Sequence, residues 1–193
     1  MSTNRFFVTT TDFAGDQVRL GREQARQVQQ VLRLGPGDTI IVLDGQGMEY
    51  DVRLTTVGKA EAAGRITASR PAVGEPAVEL TLFQSLLIRE KFEWVLQKGT
   101  EVGVAQFVPV LTSRGIVRTK EIDEGKLDRW RRIVTEAAEQ SHRGRVPRIE
   151  PIAPFADVFT RFVGFHRWLI AAPAPQTAPL RDALRDMPRQ DAS

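Results

Sequence analysis

The segment from Arg129 to Pro147, RWRRIVTEAAEQSHRGRVP, holds the densest collection of groups able to do chemistry. Leu127, Trp130, Val134, Ala137 and Ala138 recur at helical spacing, which predicts one buried helix face. Arg129, Arg132, Glu136 and Gln140 then fall on or near the outward face. Glu136, Gln140 and Ser141 point toward the helix end, where His142, Arg143 and Arg145 crowd together. Hydrogen-bonding groups beside concentrated positive charge suit an anionic, hydrogen-bonding ligand. A solvated helix with a basic last turn that complements the macrodipole accounts for the same residues in plainer terms.

Two further loops repeat the pattern. Ser85–Lys91 places Arg89 and Lys91 at the start of a predicted helix, and Thr112-Ser113-Arg114-Gly115 follows a predicted strand. In open α/β sheets ligands sit outside the carboxyl ends of the strands. Arg89, Arg114 and Arg143 are therefore expected to converge on one sheet edge, where they could hold phosphate or steady a developing oxyanion. Trp94, Lys98 and Glu101 share one helical stripe; an exposed Lys98–Glu101 ion pair is the simpler reading, contributing well under about 1 kcal/mol.

The elements that must position these groups divide the chain in two. Residues 1–73 read as short strands and turns around one helix. The strands are Asn4–Thr9, Gln17–Leu20, Thr39–Leu43, Glu49–Val57 (Tyr50, Val52 and Leu54 on one face) and Gly64–Ser69. The helix is Glu23–Leu32, with Ala25, Val28, Val31 and Leu32 on one side. Gly35-Pro36-Gly37-Asp38 is a turn, and Asp44-Gly45-Gln46-Gly47 signals a hairpin. This pattern predicts a small antiparallel barrel. Pro71–Pro76 reads as a linker.

From residue 77 to 193 strands and helices alternate. Val78–Gln84, Gln106–Leu111 and His166–Ala171 are predicted strands. Arg89–Val102 (burying Phe92, Val95, Leu96, Gly99 and Val102, with Gly103 at its C-cap), Asp123–Ser141 and the short Pro154–Arg161 are predicted helices. Alternation of this kind implies an α/β domain with a parallel sheet.

Composition narrows the chemistry. The chain has 193 residues, 41% of them hydrophobic and 26% charged, as in a soluble globular protein. It contains no cysteine, which excludes disulfides, cysteine zinc sites, iron–sulfur clusters and cysteine nucleophiles. Two histidines make a histidine metal site improbable. No segment approaches the roughly 20 apolar residues of a membrane span, and the N-terminus lacks a secretory apolar core, so a cytoplasmic location is expected.

Net charge is +3 with a pI near 9.7. The surplus sits in residues 84–148, where thirteen Lys/Arg face nine Asp/Glu, including acid-free basic runs at 114–120 and 142–148. That is an electrostatic footprint for phosphate, with a solvated surface as the alternative. Neither the dinucleotide-binding glycine fingerprint nor a P-loop is present.

With these segments in view, the chain resembles the bacterial 16S ribosomal RNA uridine-N3 methyltransferases (RsmE type) of the SPOUT superfamily. The resemblance rests on Arg5-Phe6-Phe7, Val31-Leu32-Arg33-Leu34 with Gly37-Asp38, and Asp44–Tyr50. It continues through Gln97-Lys98-Gly99-Thr100-Glu101-Val102-Gly103-Val104 and Ser113-Arg114. Most specific are Arg129-Trp130, Glu136-Ala137-Ala138-Glu139-Gln140-Ser141, Arg143 and Val146-Pro147.

The resemblance implies a PUA-like RNA-binding barrel over residues 1–73. Over 77–193 it implies a SPOUT-type methyltransferase domain that binds S-adenosylmethionine and usually forms a homodimer. The implied reaction is methyl transfer to N3 of a uridine in 16S ribosomal RNA, on the small ribosomal subunit. The imide nitrogen must lose its proton, and positive charge near the base oxygens would stabilise the anion.

Glu101, Glu136, Gln140 and Arg143 are the candidates for the catalytic region, with Glu136 or Glu101 as proton acceptor. Arg5, Arg26, Arg33, Arg89, Lys91, Arg114 and Arg118 are the candidates for RNA contacts. The chain departs from the family in having Arg26-Gln27 where paired histidines are common. It also ends at Ser193, before the Gly-Pro-Glu-Gly-Gly loop and the final helix that form most of the cofactor pocket and tie the knot. The C-terminal knot segment is therefore expected to be missing from this chain. A noncatalytic RNA-binding module associated with ribosome assembly is the alternative function, and a DNA-binding helix protein a more distant one.

Overall fold

A computed structural model of the chain describes residues 4–88, 90–118, 121–165, 167–171 and 179–185. Six strands form the first sheet: β1 (Arg5–Phe7), β2 (Phe13–Ala14), β3 (Gln17–Leu20), β4 (Thr39–Leu43), β5 (Met48–Val57) and β6 (Ala62–Pro71). Their spatial order is β1-β4-β5-β6-β3-β2. The Asp44–Gly47 hairpin is present, with the Asp44 carboxylate accepting from the N–H groups of Gln46 and Met48. The β1–β4 pair is parallel, so the sheet is mixed and not the wholly antiparallel one expected.

Strand alternation sorts the side chains. Val18, Leu20, Ile40, Val42, Val52 and Leu54 face inward around one core, with Tyr50 packed against it. The helix expected over Glu23–Leu32 is regular only in α1 (Arg22–Arg26) and widens into a π turn at Gln27–Val31. The Leu32 N–H accordingly reaches back to the Gln27 carbonyl. That wider turn rotates Val31 off the core, leaving it 71% exposed where burial was expected.

The second sheet is parallel throughout. Strand β8 (Val104–Leu111) is flanked on one side by β7 (Leu80–Ser85) and on the other by β9 (Arg148–Ile149) and then β10 (Ala153–Pro154). Helix α2 (Glu90–Glu101) follows β7, and α3 (Glu124–Gln140) follows β8, so both run from the carboxyl edge of the sheet toward its amino edge. Phe92, Leu96, Phe107, Trp130 and Val134 form their common core, and the Phe92 and Trp130 rings lie 4.5 Å apart. Asp123 caps α3 by accepting from the Lys126 N–H.

Gly103, at φ +99, ends α2 as its spacing suggests. The reversal turns Val102 outward, 76% exposed, against the expectation that it is buried. The strand expected at His166–Ala171 does not form. Residues 167–171 are described and lie in no strand, while His166 is outside the described residues. Trp168 instead packs on Phe83 of β7 at 5.0 Å and on Phe159 at 4.9 Å. Short helices follow at α4 (Val158–Arg161) and α5 (Leu180–Arg185).

The segment after β6 is tightly fastened. A Cβ added at Gly74 would lie 2.0 Å from the His142 carbonyl oxygen, and one at Gly103 would lie 2.4 Å from Pro76 Cγ. The two sheets also share a small core: Phe7, Ile41 and Leu43 on the outer face of the first sheet pack on Ala138 of α3.

Candidate active site between two helices and its basic surroundings

Helices α2 and α3 pack side by side and leave an open groove between their outward faces. Trp94 and Gln97 line it from α2; Arg129, Ile133, Glu136 and Gln140 line it from α3. Glu90 and Glu93 close its far end, where the Arg129 guanidinium donates to Glu93 at 2.8 Å, and this pairing raises the Arg129 pKa. Glu136 has no hydrogen-bond or salt-bridge partner among the described residues. Trp94 is 62% exposed, a flat aromatic surface beside one unpaired carboxylate and two amides. Such a set can stack a planar ring, bond its polar edge and accept a proton.

Glu101 stands on the same stripe of α2 but is engaged, its carboxylate accepting from Lys98 Nζ at 2.8 Å and 2.9 Å.

Arg143 occupies a different environment. It is 2% exposed. Its Nη2 and Nε donate to the two Glu75 carboxylate oxygens at 2.8 Å and 3.3 Å, and its Nη1 donates to the Thr100 and Val104 carbonyls. Glu75 Oε1 also accepts from the N–H groups of Gly144 and Arg145. Burial works to raise the Glu75 pKa, but the Arg143 guanidinium and the two backbone donors outweigh it and hold the carboxyl below its ordinary range.

The α3 exit that delivers Arg143 is a Schellman turn. The Arg143 N–H reaches the Ala138 carbonyl at 2.9 Å, with His142 in the left-handed region at φ +62, where glycine is usual.

The expected convergence of three arginines is not formed. Arg143 is bound to Val104 at the amino end of β8, whereas Arg114 follows Leu111 at the carboxyl end, about 23 Å away along the strand. Arg89 lies outside the described residues. Lys91, Arg114 and Arg118 are exposed toward the carboxyl edge, and Arg118 Nη1 donates to the Ser113 carbonyl at 2.9 Å. Arg26 at the end of α1 and Arg33 just beyond the π turn are exposed, the latter at φ +55. Arg5 is not: its side chain is 9% exposed and paired with buried Glu49, which Arg70 also engages.

Two acids were missed from sequence. Glu75 looked like a linker residue. Glu139 neighbours the buried Ala138 and accepts from the Phe7 N–H of edge strand β1 at 3.0 Å. Burial drives its pKa up to about 7; the Phe7 bond opposes the shift and nearby Glu136 adds to it. An acid beside the apolar stripe of a helix was the only signal.

Comparison with known proteins fits this architecture. An RNA methyltransferase domain profile matches residues 74–191. Ribosomal RNA small subunit methyltransferase E of Bacillus subtilis is 30% identical over 150 residues, covering 77% of this chain and 59% of that protein. The Synechocystis protein of the same name is 35% identical over 147 residues, covering 76% and 47%.

Among solved structures, the Neisseria gonorrhoeae methyltransferase E bound to S-adenosyl methionine superposes with a TM-score of 0.73 at 32% identity, covering 81% of this chain and 64% of that one. A Legionella pneumophila methyltransferase in complex with the same cofactor gives 0.82 at 28% identity, covering 94% and 75%. The chain belongs to the RNA methyltransferase domain family. The relatives it matches are small-subunit methyltransferases of the E type, and it spans roughly half to two-thirds of their length.

Proposed function

We propose that the protein methylates ribosomal RNA of the small subunit, at N3 of a uridine, using S-adenosylmethionine. The observation that carries this reading is the α2–α3 groove within the family-matched region, with exposed Trp94, unpaired Glu136, Gln97 and Gln140. A uracil stacked on Trp94 can present its imide edge to the two amides. Glu136 accepts the N3 proton. Glu101, held by Lys98, is the second candidate acceptor. Arg143 belongs to this reading as a positioning residue that fixes the α3 exit, since its donors are spent inside the protein.

S-adenosylmethionine is the donor held by two of the solved relatives. The described residues do not by themselves enclose it. The reading includes a PUA-like first domain over residues 1–73, a SPOUT-type second domain over 77–193, a homodimer and a cytoplasmic location. No helix among the described residues is long and apolar enough to cross a membrane.

The test is incubation of the protein with small ribosomal subunits and methyl-labelled S-adenosylmethionine, followed by nucleoside analysis. Label in N3-methyluridine supports the reading. RNA binding without transfer favours the noncatalytic module, and label on another base overturns the uridine assignment.

A further inference from the structure

The outer face of the first sheet carries an unexplained row of arginines. Arg65 of β6 is directly opposite Arg53 of β5 and Gln17 of β3, and Arg53 is in turn opposite Thr39 of β4. Residues paired across strands share a face, so these four side chains form one row, with Arg19 two residues along from Gln17 on the same face. Arg19, Arg53 and Arg65 are all exposed.

Like charges placed directly opposite, with Cβ atoms roughly 5 Å apart, destabilise a sheet. The acids of this face relieve the pair only at Arg65. Glu49 and Asp51 are engaged by Arg5 and Arg70. Asp16 pairs with Arg65 at 3.0 Å. Arg53 and Arg19 have no carboxylate partner among the described residues.

The other end of the same face is covered by α3. Ile41 and Leu43, on the Thr39 side of β4, pack on Ala138, two residues from Glu136 of the groove. The arginine row begins beside that contact, since Thr39 precedes Ile41 by two residues on the same face of β4. We propose that this row is a docking track for the phosphate backbone of the RNA whose base enters the groove, an inference that rests on the proposed function above. A polyanion supplies the countercharge that Arg53 and Arg19 lack, and the Thr39 hydroxyl and Gln17 amide add neutral donors for phosphate oxygens. The track uses none of Arg5, Arg26 or Arg33.

The test is fluorescence anisotropy with a labelled single-stranded RNA 20-mer of mixed sequence, over a KCl series. The double variant Arg53→Gln/Arg65→Gln is expected to bind about 10-fold more weakly. Its slope of log affinity against log salt should shrink by about 1.4, the share of two phosphate contacts on a single strand. The melting temperature should change little, because removal of the repulsive pair offsets loss of the exposed Arg65–Asp16 pair. Arg161→Gln/Arg181→Gln, which removes equal charge elsewhere, should change affinity less than 2-fold.

Unchanged affinity and slope in the first variant, with wild-type binding intact, overturn the track and leave the methyltransferase reading standing. Absence of RNA binding by the wild type overturns both. An equal loss of binding to poly-glutamate identifies a protein partner and also overturns the track.

Discussion

Glu75 and Arg143, 68 residues apart in sequence, form a bidentate pair that locks the segment following the first sheet onto the exit of α3. The pair is completed from both sides. Arg143 also holds two carbonyls at the α2–β8 junction, and Glu75 also holds two backbone N–H groups beyond Arg143. It fixes where α3, and with it Glu136 and Gln140, stands against the rest of the molecule.

Removing one partner strands the other. Arg143→Ala is expected to lower unfolding free energy by about 3 kcal/mol in urea titrations, the scale for breaking a buried pair. Arg143→Lys should recover little, because a single ammonium cannot reproduce the fork. A fully stable Arg143→Ala variant with low turnover would show instead that the guanidinium acts on substrate.

The same pair makes the joint acid-sensitive. The Glu75 carboxyl is held below its ordinary value of 4.5 in the folded state. Its stabilisation is present above the unfolded value and is lost as pH falls through the folded one. Thermal melts from pH 6 to pH 3 should show a steeper loss for wild type than for Glu75→Gln, which starts less stable. Parallel curves would show that the pair does not titrate with folding.

Glu139 has the opposite sign. Its folded pKa of about 7 lies above the model-peptide value of 4.5, so stability is full below 4.5 and falls as pH rises toward 7. The loss is at most about 3 kcal/mol. Glu139→Gln keeps an acceptor for the Phe7 N–H and should be more stable than wild type at pH 8 while nearly matching it at pH 4. Equal stability at both values would place the titration elsewhere.

His142 occupies a left-handed position that costs a side chain about 1 kcal/mol relative to glycine. His142→Gly is expected to raise stability by that amount. Gly74→Ala should lower it by about 2 kcal/mol, since the new methyl meets the His142 carbonyl and backbone must move. Calorimetric melting of both variants checks the two directions. A His142→Gly protein that loses stability would reveal a native contact of the imidazole.

Much of the fold was legible because local rules carried it. Alternating burial in β4 and β5, the Asp44–Gly47 hairpin, the Asp123 cap and the apolar stripe of α3 each follow from short-range pattern. Failures came where tertiary pairing decided. The apolar run after His166 packs through Trp168 on the Phe83 and Phe159 rings in place of strand pairing, and the π turn moved Val31 by a registration that spacing alone does not encode.

Of the residues singled out from sequence, Glu136 and Gln140 line one groove in the structure. Arg143 illustrates the opposite case. A basic residue at a helix end looks alike in sequence whether it faces solvent or a buried glutamate, and Glu75 gave no periodic signal to break the tie.

The central claim is that Glu136 takes the proton from the base in the α2–α3 groove. Single-turnover methyl transfer to small ribosomal subunits by wild type and Glu136→Gln, with RNA affinity measured in parallel, tests it most directly. The account predicts a rate reduced about 100-fold or more with RNA affinity and melting temperature preserved. A Glu136→Gln rate within 3-fold of wild type would contradict it.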